Sequence, residues 1–139
     1  MTQYRKHRGY ETQRLVADYL TEWWPFAEST GAGRSGTDIT GTPGVDWEVK
    51  ARRGLDLTGT MRQLAERSED GTVPVAVIRP DGWGPKRLPD WPAVLPLSVL
   101  VQLLLDAGYG PDVIAPVLTT SLEITETTET KTRVTEREL

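Results

Sequence analysis

Two carboxylates and a lysine stand close together in the middle of this chain: Asp38, then Glu48-Val49-Lys50. A hard divalent cation such as Mg²⁺ takes one or two carboxylates and fills its other positions with water and phosphate oxygens. Asp38 and Glu48 meet that need on neighbouring strands, and the Val49 carbonyl offers a third oxygen. Lys50 shares a strand face with Glu48 and lies roughly 7 Å along it. From there a long side chain reaches a metal-activated water or a scissile phosphate. A cation so held lowers the pKa of its water and offsets charge developing in an in-line displacement. An acid-x-Lys triplet means little alone, and the chain has a second, Glu129-Thr130-Lys131. Context decides for the first.

That context is a set of elements able to position the three groups. Residues 37–40, the turn Gly41-Thr42-Pro43-Gly44 and residues 45–50 read as a hairpin. Alternation gives Ile39, Val45, Trp47 and Val49 one apolar face, and Asp38, Thr40, Asp46, Glu48 and Lys50 the polar one. With the turn centred on Pro43, Asp38 lies directly across from Glu48, about 5 Å away. Asp46, next to the turn, reads as solvated. Upstream, residues 7–23 read as a helix with Leu15, Val16, Tyr19, Leu20 and Trp23 on one face, ended by Pro25. Glu11 lies on the flank of that stripe. Residues 26–28 are a short strand candidate. Downstream come a helix over 57–67 with Met61, Leu64 and Ala65 inward, and an apolar strand over 73–78 suited to burial on both faces. A Gly/Pro-rich loop over 79–92, a short edge strand over 93–96 and a helix over 97–107 follow. This alternation predicts an α/β class, a central sheet with helices on its faces.

Composition narrows the chemistry further. At 139 residues the chain fits one domain. The lack of Cys excludes disulfides, Cys-held zinc and a thiol nucleophile, and a single His leaves little for a His-rich metal site or a Ser–His–Asp relay. No apolar run reaches the length of a membrane span and the start lacks a signal-like stretch, so the expected compartment is the cytoplasm, with no membrane partner. The net charge of −4 argues at first against nucleic acid. Its distribution does not: residues 1–67 hold 10 Lys+Arg and 9 Asp+Glu, whereas residues 68–139 hold 6 and 11. Arg5, Lys6, Arg8 and Arg14 open the first helix, and Arg52 and Arg53 follow Lys50, a basic footprint for phosphate backbones. Arg34 and Ser35 sit in a Gly-rich loop whose amides can cradle a phosphate; the alternative is a plain loop. Residues 119–139 hold eight Thr and five Glu, a composition expected of a flexible tail. The expected organisation is a domain over 1–110 and a Thr/Glu-rich extension over 111–139.

Asp38, the turn, Glu48-Val49-Lys50-Ala51-Arg52 and the preceding helix bearing Glu11 together resemble the PD-(D/E)XK nuclease superfamily. Within it, Arg5-Lys6-His7-Arg8-Gly9 and Arg34-Ser35-Gly36-Thr37-Asp38 are similar to small Holliday-junction resolvases, of the archaeal type and of phages. The resemblance covers roughly residues 4–80. It implies a restriction-endonuclease-like core in α-β-β-β-α-β order, and Mg²⁺-dependent hydrolysis of phosphodiesters in four-way or other branched DNA by a homodimer, with Mn²⁺ able to substitute. It assigns Asp38 and Glu48 to metal, Lys50 to the nucleophilic water and Glu11 to a supporting acidic role, and it aligns Gln63 with a Gln that many relatives place near the site. Thr37 stands where the family pattern has Pro. Two rivals keep the fold: a repair or restriction-type nuclease on duplex or single strands, and an inactive DNA-binding module. Each residue also has a plainer reading. Asp38 then orients the turn, Glu48 and Lys50 form a solvated ion pair, and Glu11 and Gln63 are helix-surface groups. Trp83 either stacks on an unpaired base or caps the core.

Overall fold

A period of two decides how β3 (Val45–Lys50) faces its surroundings: Trp47 and Val49 are buried, and the even positions are half-buried. The computed structural model describes residues 3–31, 36–51 and 54–111. Its elements run α1 (Gln3–Leu20), β1 (Glu28–Ser29), β2 (Ile39–Thr40), β3, α2 (Leu57–Arg67), β4 (Val73–Ile78), a 3-10 helix (Pro85–Asp90), β5 (Ala93–Val94) and α3 (Leu97–Asp106). The class is α/β. The chain divides into two compact units, Met1–Val99 and Leu100–Leu139.

In the first unit the apolar run 73–78 becomes β4, the middle strand of three. It runs parallel to β3, from Val45 beside Val73 to Lys50 beside Ile78, and antiparallel to the short β5. Parallel neighbours need a crossover, and α2 supplies it. Pro74 sits inside this strand without breaking it. The amides of Val73 and Arg79 donate towards β3, to Gly44 and Lys50, whereas that of Ile78 donates the other way, to Pro92. Position 74 therefore points away from β3, beyond the reach of β5, where a missing N–H costs no ladder bond.

The two helices cover opposite faces of the β3–β4 pair. Val16, Ala17 and Leu20 of α1 join Trp47, Val49, Val75, Val77, Ile39 and Trp91 in one buried cluster. That is the odd-numbered face of β3. On the even face, α2 packs over β3 and β4 with Leu64 and Thr60 buried beneath it. Asp56 caps α2, its Oδ1 accepting from the Gly59 amide at 2.9 Å. Ala65 is exposed rather than inward, because the inward stripe runs through Thr60, Leu64 and Arg67 instead. Helix α1 stops at Leu20, short of Trp23: the Trp23 and Trp24 amides both turn back onto the Leu20 carbonyl. Tyr19 and Trp23 are exposed and meet edge to face at 5.2 Å.

The expected hairpin takes a different form. β2 pairs with β1, Glu28 beside Thr40, and no ladder joins β2 to β3. Gly41 explains part of this. Its φ is +80°, and a Cβ there would lie 2.0 Å from the Phe26 carbonyl oxygen, so the chain hugs the β1 side as it turns. Side chains then stand in for ladder acceptors. Thr37 Oγ1 accepts from the Trp47 amide at 2.9 Å, and Asp38 Oδ2 accepts from the Val49 amide at 2.7 Å.

Helix α3 ends in a Schellman cap. The Tyr109 amide donates to Leu104 O and the Gly108 amide to Leu105 O, with Gly108 at φ +96°. Among the described residues no helix is long and apolar enough to cross a membrane. Of the expected extension over 111–139, residues 112–139 lie outside the described set.

Candidate active site

Strand β3 carries Glu48 and Lys50 on its even face, two residues apart, and the side chains meet: Lys50 Nζ lies 2.8 Å from Glu48 Oε1. Asp38 joins them from the edge. Its amide donates to Trp47 O at 2.8 Å and its carboxylate accepts from the Val49 amide, so it grips β3 on both sides of Glu48. The attachment is one main-chain bond and one carboxylate bond rather than the expected cross-strand register, and it leaves Asp38 close enough to feel the charges of Glu48 and Lys50.

The electrostatics follow from that position. Burial pushes the Asp38 carboxyl up from 3.8 to about 6; the Val49 amide pulls it down, Glu48 pushes it further up, and Arg67 and Lys50 oppose that. The fold thus disfavours the charged form of this group. The Val49 carbonyl belongs to the same edge. Gly44 O and Lys50 O accept from β4, so the carbonyls of Trp47 and Val49, of opposite parity, face the Asp38 side. Asp38, Glu48 and the Val49 carbonyl are the oxygens here that could hold a hard cation, which takes one or two carboxylates from protein. Among the described residues no group of three or more His, Asp or Glu converges in the way an all-protein cation cage requires.

Asp46 is not solvated. Arg67, at the end of α2, donates from Nη2 to Asp46 Oδ1 at 2.6 Å and from Nε to Oδ2 at 3.2 Å, and Ser68 Oγ adds a bond to Oδ2 at 2.9 Å. The same guanidinium donates from Nη1 to Glu48 Oε2 at 2.9 Å. Burial pulls Arg67 down, but its hydrogen bonds and charge contacts with Asp46 and Glu48 outweigh this and hold it above its ordinary value. The side chains of Asp46, Glu48 and Lys50 are 13, 14 and 16 % exposed, respectively, so screening by water is limited.

Glu11 sits elsewhere. It is exposed on α1, whose packing face is the odd side of β3, and lines a cleft of about 410 Å³ with Arg8, His7, Arg79 and Trp83. Arg79 fixes that cleft: it donates to Trp83 O at 3.0 Å and Thr12 Oγ1 at 3.2 Å and lies over the Trp91 ring. Trp83 is half-buried against the core and carries Arg87 at 3.5 Å over its ring, which matches the capping role. Gln63 is exposed on α2, one turn before Arg67. Arg5 and Lys6 fall on α1, their side chains outside the described set, and Arg34, Ser35, Arg52 and Arg53 also lie outside the described residues.

Sequence reasoning missed Arg67. The signal was present as a cation at i+3 from the buried Leu64, on the stripe facing a strand whose even positions are acidic. No family model, curated protein or solved structure matches this chain.

Proposed function

We propose that this protein is a Mg²⁺-dependent, structure-selective DNA endonuclease of the Holliday-junction-resolvase-like kind, with a restriction-endonuclease-like core, acting on branched DNA as a homodimer. The observation that carries the reading is that Asp38 is bound to the amide of Val49, the residue between Glu48 and Lys50, whose side chains meet at 2.8 Å. Asp38, Glu48 and the Val49 carbonyl are the oxygens that would hold Mg²⁺. Bound there, the cation supplies an acidified water and charge neutralisation for phosphodiester hydrolysis. Lys50 orients the attacking water and balances charge at the phosphate. Arg8 and the neighbouring basic residues of α1 hold the backbone. Branched DNA as substrate, and the dimer, come from the resemblance to resolvases.

The test is cleavage of four-way junctions in Mg²⁺ by wild type and Lys50→Ala side by side, with linear duplex, flaps and single strands as controls. Wild type should cut the junction, and Lys50→Ala should bind it but leave it intact. If wild type leaves every substrate uncut in Mg²⁺ and Mn²⁺, the reading fails. Preference for linear DNA moves it to a repair or restriction-type nuclease.

One observation favours a second reading. Arg67 already neutralises part of the acidic face, as in a structural ion-pair network. An inactive DNA-binding module would show binding indifferent to divalent cation and to Lys50→Ala.

A further inference from the structure

Glu48 divides its two oxygens between unlike partners. Oε1 meets Lys50 Nζ at 2.8 Å, and Oε2 accepts from Arg67 Nη1 at 2.9 Å. Lys50 sits at the tip of a flexible four-carbon stem, whereas Arg67 presents a planar fork. That fork is anchored independently of Glu48. Asp46 takes it side-on through Nη2 and Nε, the Trp47 carbonyl lies 3.3 Å from Nη2, and Ser68 Oγ fixes Asp46 in turn. Lys50 is therefore the exchangeable partner and Arg67 the fixed one.

We infer that Arg67 is a positioning residue for Glu48: held by Asp46, it retains Oε2 and leaves Oε1 as the single oxygen that Glu48 offers to a divalent cation when Lys50 lets go. Asp46, with no place among the metal-binding oxygens, acts as the anchor for that guanidinium. The inference rests on the metallonuclease reading above. It also gives Lys50 two positions, on Oε1 without cation and turned towards the reacting phosphate with it. Partners of this outer kind typically alter metal affinity by about 10–100-fold when removed.

Mn²⁺ titration followed by electron paramagnetic resonance, without DNA, tests it on wild type, Arg67→Lys and Asp46→Asn. A lysine keeps the charge but cannot span Asp46 and Glu48, so Mn²⁺ affinity should fall about tenfold. Asp46→Asn keeps an acceptor for Ser68 and removes half the grip on Arg67, and should give a smaller fall in the same direction. Near-UV circular dichroism and thermal melting establish that each variant is folded, and Asp46→Asn carries the test if Arg67→Lys does not fold. A purely structural clamp would lower the melting temperature and leave the Mn²⁺ affinity of the folded protein unchanged, which overturns the inference alone. Tighter Mn²⁺ binding by either variant also overturns it. Failure of wild type to bind Mn²⁺ overturns it together with the nuclease reading.

Discussion

The two faces of β3 are built from alternating residues of one short strand and obey different physics. On the odd face, Trp47 and Val49 disappear into apolar contacts with α1 and β4, where burial is non-directional and neighbours share the load. On the even face, Asp46 and Glu48 share Arg67, Ser68 adds a bond to Asp46, and Lys50 meets Glu48, so the contacts are directional and the cost of losing one depends on which partners remain. Alternation places these regimes about 3.3 Å apart along one backbone. The polar face thereby gains the rigidity of a core it does not touch.

Substitutions on the two faces should separate stability from chemistry. Lys50→Ala on the even face should reduce junction cleavage by about 10²–10⁴-fold. It should change unfolding free energy by no more than about 1 kcal/mol in urea titrations, since Glu48 keeps its bond to Arg67 and is not left unpaired. Trp47→Ala on the odd face should do the reverse in kind, costing about 3–5 kcal/mol of stability through the cavity and the lost Nε1 bond to Thr42.

Asp38, at the seam between the faces, gives a pH signature. Its folded pKa of about 6 lies above the ordinary 3.8, so its contribution to metal-free stability is fully present below about pH 3.8 and lost as pH rises through about 6. Asp38→Asn keeps an oxygen for the Val49 amide and removes the buried charge. It should stabilise the metal-free protein at neutral pH by about 1–2 kcal/mol, after allowance for partial exposure, and flatten the stability difference across that window. Equal pH dependence in both proteins would show that the charge is not penalised. The smallest effect belongs to Gln63→Ala: an exposed amide should shift unfolding by less than about 0.5 kcal/mol.

The alternation of β3, the buried run of β4 and the span of α2 are legible because each is written in local periodicity. The α/β class follows from their order. What sequence could not show was pairing across distance. Arg67 lies 21 residues from Asp46, and the stripe that carries it inward is visible only once α2 is known to cross the acidic face. The β2–β3 connection looked like an ordinary hairpin because its turn residues are right for one. The deciding feature was the approach of Gly41 to the Phe26 backbone, set by β1. Asp38 was expected opposite Glu48 by register, and instead binds β3 on either side of it, through its amide to Trp47 O and its carboxylate to the Val49 amide.

Pro74 carries a consequence for self-association. β5 is in register with β4 at Ala76 and Val77; among the described residues the start of β4 has no strand partner on that side, and since Pro74 and Val75 are buried, this edge comes into play only when its cover opens. Such an edge is a template for a strand from another molecule, with docking driven by regularly spaced amide donors. At position 74 the donor is missing and the ring fills the approach. Replacement by valine would suit the strand's apolar pattern and restore the donor, and would turn a protected margin into a site for edge-to-edge aggregation.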